Sequence, residues 1–297
     1  MKLPSNVNII EVGPRDGFQN ISKFIPTNIK LEVIDAIVNA GFKKIQVTSF
    51  VHPKAIPQMK DAREVVETVT KKYNDIIFTA LVPNLFGAKA AYECGIREIS
   101  YVISASESHN KENVRRSIKE SFEELNKIRL KYKDLRVKID IATAFGCPFE
   151  GTVPVAKIVE MIKEAHEIGV DDIFLADTIG VANPKQVEEI LEHLIEKFPN
   201  EKFGLHMHDT RGMGLANILV ALQKGFTIFE SSTGGLGGCP FAPGAAGNIA
   251  SEDLVNILGQ MGIETGVELN KLYDAINLIK KYIKPDLTSH MGNICIK

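Results

Sequence analysis

The 297-residue chain is 44% hydrophobic and 24% charged with a formal net charge of -2, a balance that supports a sizeable core and excludes an intrinsically disordered chain. Lysine and glutamate are interleaved through the candidate helices rather than gathered into a basic stripe, which argues against nucleic acid as a partner. No uncharged apolar run approaches a membrane span and the first ten residues lack the apolar segment of a signal peptide, so a soluble, cytoplasmic protein with no membrane partner is expected.

Short β-branched runs alternate with amphipathic stretches of helical period. In chain order the pattern predicts a strand over 8–12 and a helix over 27–40, then strand and helix pairs at 44–48 and 61–73, 76–81 and 86–94, 98–103 and 116–132, and 136–142 and 154–168. The series continues with 172–176 and 184–198, 202–206 and 213–223, a last strand over 227–231, and a helical C-terminus from Ser251 onward. Eight βα units imply an α/β fold with a parallel sheet. An open doubly wound sheet shares the alternation, but it would carry a glycine-rich nucleotide loop after its first strand, where this chain reads Gly13-Pro14-Arg15-Asp16. The expected architecture is therefore a (β/α)8 TIM barrel with additional C-terminal helices. It forms one domain over 1–297, the barrel occupying about 7–250 and the helical segment about 251–297. The dipeptides Ala40-Gly41, Cys94-Gly95, Ile168-Gly169 and Lys224-Gly225 place a glycine after a helix and before the next strand, as a helix stop requires.

In such barrels chemistry gathers at the C-terminal ends of the strands. There the seventh strand runs into Leu205-His206-Met207-His208-Asp209, whose two histidines at i and i+2 share one face of an extended strand and present two ring nitrogens to one cation. The first strand leads into Arg15-Asp16. Asp16 is a hard anionic ligand suited to Mg²⁺ or Mn²⁺, and Arg15 offers a fixed guanidinium to a carboxylate or carbonyl oxygen, unless the two merely pair to brace the turn. Gly234-Gly235-Leu236-Gly237-Gly238-Cys239 follows the eighth strand, and Cys239 is the only reactive side chain in that loop. Cys94 and Cys147 suit buried small hydrophobes, and Cys295 a thiol near a frayed terminus. Asn248 could complete a metal shell through its carbonyl; Ser251 and Asp253 look like helix-start chemistry. Asp177-Thr178 could orient a ligand or form a turn.

Taken together and in order, these motifs resemble the 3-hydroxy-3-methylglutaryl-CoA lyases. The matching strings are Glu11 to Gly17, Thr48-Ser49-Phe50-Val51, Pro57-Gln58-Met59, Gly146-Cys147-Pro148, Asp177-Thr178-Ile179-Gly180-Val181, His206-Met207-His208-Asp209-Thr210, Gly234 to Pro240 and Gly247-Asn248. The resemblance implies a divalent-metal-dependent retro-Claisen cleavage of 3-hydroxy-3-methylglutaryl-CoA, or a close 3-hydroxyacyl-CoA, to acetyl-CoA and acetoacetate or the matching oxo acid. It also implies Mg²⁺ or Mn²⁺ on Asp16, His206, His208 and Asn248, with Arg15 stabilising the thioester enolate and Cys239 protonating its carbon. His206 or Asp16 relays the hydroxyl proton. Gln19, Gln46, Ser49, Asp177, Thr178 and Glu252 are the implied substrate-binding or supporting residues. The expected partners are an acyl-CoA, for whose phosphates Lys23 and Lys54 are candidate contacts, and as a candidate a second copy of the chain in a homodimer. Two positions depart from the family pattern: members usually carry Glu where this chain has Gln46, and an acid where it has Ile21 after Gln19-Asn20. Gln keeps the size and hydrogen bonding of Glu but not its charge. Another metal-dependent aldolase or Claisen-type synthase, and a non-catalytic barrel that binds metal or acyl-CoA, are the alternatives.

Overall fold

The computed structural model describes residues 3–238 and 247–294, in which eight parallel strands close into a barrel in sequential order. The strands are β1 (Asn8–Glu11), β2 (Lys44–Ser49), β3 (Ile77–Leu81), β4 (Glu98–Ser104), β5 (Arg136–Ala142), β6 (Asp172–Ala176), β7 (Phe203–His206) and β8 (Ile228–Ser231). Helices α1 (Thr27–Asn39), α2 (Ala62–Lys72) and α3 (Leu85–Glu93) return the chain between the first four strands. After β4 come α4 (Glu107–Val114) and α5 (Ile118–Lys131), then α6 (Val155–Ile168), α7 (Pro184–Lys197) and α8 (Gly214–Gln223). The C-terminal helices α9 (Ser251–Gln260) and α10 (Leu269–Tyr282) complete the outer ring, α10 packing on α1. All eight expected strands form, and Gly41, Gly95, Gly169 and Gly225 have positive φ after their helices, as the stop signals predict. Among the described residues no helix is long and apolar enough to cross a membrane.

Strand alternation separates two environments. In β5, Val137, Ile139 and Ile141 are fully buried among the large apolar cluster between sheet and helices, whereas Arg136, Lys138 and Asp140 take the other face. That other face is the barrel interior: Lys138 of β5 pairs with Glu230 of β8, and Lys44 of β2 lies 3.7 Å from Asp172 of β6, contacts that only the interior permits between non-adjacent strands. A small apolar plug of Ile10, Val12 and Phe174 shares the interior with these charges. The outer, aliphatic cluster drives folding, each fully buried Ile, Val or Leu contributing about 1.5–3 kcal/mol.

Three local features depart from expectation. Helix α4 was not expected, because Glu-Ser-His-Asn-Lys-Glu-Asn-Val has no apolar stripe; it is held instead by Ser106, whose side chain accepts from His109 N at 3.1 Å, and it stops at Arg115 with φ +57°. The next helix consequently starts at Ile118 rather than at 116, behind a reciprocal capping box between Ser117 and Glu120. Ser251 is not an N-cap. Ala250 holds that position, and the Ser251 hydroxyl donates to Glu11 Oε2, while the Asp253 carboxylate accepts from His290 N and Met291 N of the C-terminal segment.

Candidate metal centre and active site

Residues Gly13–Gly17 form one π-helical turn directly after β1, with Phe18 N donating back to Gly13 O, and Arg15 N and Asp16 N donating to Val12 O at 3.1 and 2.7 Å where the turn begins. Such wide turns are rare and re-aim side chains. Buried Glu11 holds this one: Oε1 accepts from Gly13 N at 2.7 Å and from Thr233 N at 2.9 Å, and Oε2 accepts from Thr233 Oγ1 at 2.7 Å, tying the turn to the segment after β8. As a result Arg15 and Asp16 face the end of β7.

Ligand atoms of Asp16, His206 and His208 all lie within 4.8 Å of one another. His206 and His208 turn their Nε2 atoms toward each other at 3.1 Å. Behind His206, its Nδ1 lies 2.8 Å from Glu230 Oε2, and since a carboxylate only accepts, Nδ1 carries a hydrogen and Nε2 is the nitrogen left to face a cation; burial opposes the imidazolium, but Glu230 and Asp16 outweigh it and raise the group above its ordinary value. Burial pulls His208 down to about 3, helped by neighbouring His206, so its imidazole is neutral and a competent ligand. Burial works against Asp16 as a carboxylate, but the Arg15 guanidinium and His206 overcome it and hold the group below its ordinary value.

Asn248 meets this group through an isolated antiparallel bridge to His208. Its Nδ2 donates to Asp16 Oδ2 at 2.6 Å and to Leu236 O at 3.0 Å, and two acceptors fix which end of the amide points there. Its buried Oδ1 therefore has no partner among the described residues. An orphaned carbonyl oxygen beside a carboxylate and two imidazole nitrogens is the mixed O/N donor set of a divalent cation, and the residues fit one.

Arg15 donates through Nε to Gln46 Oε1 and pairs through Nη1 with Asp16, while Gln19 Nε2 donates to Asp16 Oδ1 at 3.2 Å. Thus Arg15, Asp16, Gln19, Gln46, His206, His208 and Asn248 come together. Ser49 is buried at the end of β2, its hydroxyl without a partner among the described residues. Asp177 and Thr178 are spent on backbone instead, and Glu252 on backbone and the Ser289 side chain. Asp177, pushed up to about 6 by burial, accepts from Val181 N and Ala182 N, and Thr178 Oγ1 accepts from Thr143 N. Glu252 accepts twice from Gly234 N and burial pushes it up to about 7. Ile21 packs its side chain on the core, where an acid would be desolvated, and its carbonyl accepts from Gln58 Nε2 at 2.6 Å.

Gly237, with φ +110°, brings the glycine-rich segment onto the site: a Cβ there would sit 2.4 Å from Asn248 Nδ2 and 3.3 Å from Asp16 Oδ2. Asn20 Nδ2 donates to Gly238 O at 3.0 Å. Cys239, next in sequence, lies outside the described residues, as does Cys295. Cys94 and Cys147 are buried, the latter with its Sγ 2.9 Å from Ser106 Oγ.

Sequence reasoning missed the residues beneath the site, Glu230, Lys138 and Asp140. Their signal is the alternation Arg136-x-Lys138-x-Asp140, polar at every second position of a strand that a parallel barrel would normally fill with apolar residues on both faces.

The HMGL-like family model matches residues 6–279. A hydroxymethylglutaryl-CoA lyase of Bacillus subtilis is 43% identical over 291 residues, covering 97% of both chains. The crystal structure of the Bacillus subtilis HMG-CoA lyase superposes with a TM-score of 0.95 over 98% of each chain. An HMG-CoA lyase of Acinetobacter baumannii, solved in complex with coenzyme A and 3-methylmalate, is 38% identical with a TM-score of 0.92, covering 100% of this chain and 99% of that one.

Proposed function

The chain belongs to the HMGL-like family, and from that premise and the geometry of the barrel mouth we propose that it cleaves 3-hydroxy-3-methylglutaryl-CoA to acetyl-CoA and acetoacetate. The observation that carries the proposal is the convergence of Asp16, His206, His208 and the unpartnered Oδ1 of Asn248, with the Arg15 guanidinium against them. Those four residues would hold Mg²⁺ or Mn²⁺. When bound, the cation supplies Lewis-acid stabilisation that lowers the cost of deprotonating the substrate's tertiary hydroxyl.

The protein's own groups account for the rest. The hydroxyl proton leaves to His206 or Asp16; the bond between C2 and C3 breaks, C3 becoming the ketone of acetoacetate and the electron pair passing into the thioester enolate. Arg15, always charged and fixed by Gln46 and Asp16, faces the enolate oxygen. Cys239 returns a proton to the enolate carbon, completing acetyl-CoA, and the segment that leads to it is held against Asp16 and Asn248 at Gly237. Gln46 leaves the Arg15 charge less neutralised than a carboxylate would, which favours a close 3-hydroxyacyl-CoA with one more anionic group as the second reading.

Release of acetyl-CoA from 3-hydroxy-3-methylglutaryl-CoA in a coupled assay, dependent on Mg²⁺ or Mn²⁺, is the test. No release above background from folded protein eliminates the named substrate. Cys239→Ser is expected to bind the cation normally and to lose most turnover, and a near-wild-type rate excludes the acid role.

A further inference from the structure

The barrel interior beneath His206 is charged where such barrels are ordinarily filled by branched aliphatic side chains. Lys138 Nζ contacts Glu230 Oε1 and lies 2.8 Å from Asp140 Oδ1. These three residues are 3%, 3% and 7% exposed. Ser100 Oγ donates to Asp140 Oδ2 from the neighbouring strand. The Phe174 ring lies 4.3 Å from the ammonium, and Gly204 makes room for that ring, since a Cβ at Gly204 would come within 2.2 Å of it. An ammonium enclosed this deeply is held only because its partners are fixed.

Glu230 divides its two oxygens between different tasks. Oε1 takes Lys138 from below, and Oε2 takes His206 Nδ1 at 2.8 Å from above. A glutamate lacking the lower contact would be free to swing about its side-chain torsions and to leave Nδ1. With the contact, one orientation of the carboxylate remains, and with it one tautomer and one ring orientation of His206.

We propose that Lys138 is a positioning residue for the metal centre: by clamping Glu230 it holds the His206 imidazole so that Nε2 is presented to the cation. The inference rests on the metal-binding function proposed above. Asp140, fixed by Ser100, keeps the ammonium centred under Glu230. His208, whose Nδ1 has no partner among the described residues, lacks such a support, so of the two imidazoles it is His206 that is pre-oriented, through the Lys138–Glu230–His206 chain.

Titration of the full-length protein with Mn²⁺, counting the free ion by electron paramagnetic resonance, separates the two claims. A wild-type protein without a stoichiometric Mn²⁺ site overturns the metal centre itself, and this inference with it. Given that site, Glu230→Gln is expected to weaken Mn²⁺ affinity by roughly 10–100-fold and Lys138→Met by about tenfold, the range seen when the group behind a metal-bound histidine is lost. Because Lys138 acts through Glu230, the double variant is expected to bind no more weakly than Glu230→Gln alone. Unchanged affinity in Lys138→Met, or losses that multiply in the double variant, overturns the inference. A lysine serving stability alone would lower the unfolding temperature of the metal-free protein and leave affinity untouched. Should Lys138→Met fail to fold, Glu230→Asp keeps every charge but is one methylene too short to span both partners. It is expected to lose affinity comparably, and wild-type affinity there also overturns the proposal.

Discussion

Asn248 joins the cation site to the loop that follows β8, so its removal should be felt twice. Nδ2 donates to the Asp16 carboxylate at 2.6 Å and to Leu236 O at 3.0 Å. A hydrogen bond to a charged group contributes about 1.5–3 kcal/mol and a neutral one about 0.5–1.5 kcal/mol, so metal-free Asn248→Ala is expected to be roughly 2–4.5 kcal/mol less stable. The same substitution deletes the unpartnered Oδ1, and Mn²⁺ affinity should fall by at least about tenfold, no less than for loss of an outer partner. Asn248→Asp separates the effects. It keeps the shape but sets an acceptor against Asp16, and two carboxylates at that separation cannot both ionise without a cation between them. Metal-free Asn248→Asp should therefore also be destabilised, while Mn²⁺ raises its unfolding temperature by more than it raises that of wild type. Scanning calorimetry with and without Mn²⁺ measures both shifts. A metal-free Asn248→Asp as stable as wild type, with the same response to Mn²⁺, would refute the placement of Asn248 in the shell.

Gly237→Ala forces a side chain into a left-handed backbone, at a cost of roughly 1–3 kcal/mol, and drives a Cβ onto Asn248; weaker Mn²⁺ binding in the same titration is expected. Burial pushes Glu252 up to about 7 from its ordinary 4.5, so between those values the folded protein keeps a proton that the unfolded chain releases, and stability falls as pH rises through that window. Glu252→Gln, neutral throughout, should flatten this decline in unfolding temperature; an unchanged slope assigns it to other groups. Gln46→Glu gives Arg15 the anionic partner that family members usually carry and is expected to leave turnover and Mn²⁺ affinity close to wild type. A manyfold rise on 3-hydroxy-3-methylglutaryl-CoA would instead point to a different natural 3-hydroxyacyl-CoA.

The eight strands, their helices apart from α4, and the positions of Asp16, His206 and His208 at strand ends were legible in the sequence, because hydrophobic periodicity and glycine stops are local properties of the chain. The spacing of His206 and His208 follows from the two-residue period of an extended strand, and their adjacency needed no tertiary information. What the sequence could not decide was partnership. Asp16 and Asn248 are 232 positions apart and meet only because the closed barrel sets β1 between β2 and β8. Lys138 looks like an ordinary solvated lysine until closure turns alternate residues of β5 inward, where exclusion of water makes its pairing with Glu230 obligatory. Asp177 and Glu252 look like candidate chemical groups in sequence, yet the folded loops engage the Asp177 oxygens with Val181 N and Ala182 N, and the Glu252 carboxyl with Gly234 N and the Ser289 side chain. Composition and pattern determined the barrel and the end of it at which chemistry gathers; only burial and closure decided which polar groups support one another there, because the cost of an unpaired charge exists only once water has been excluded.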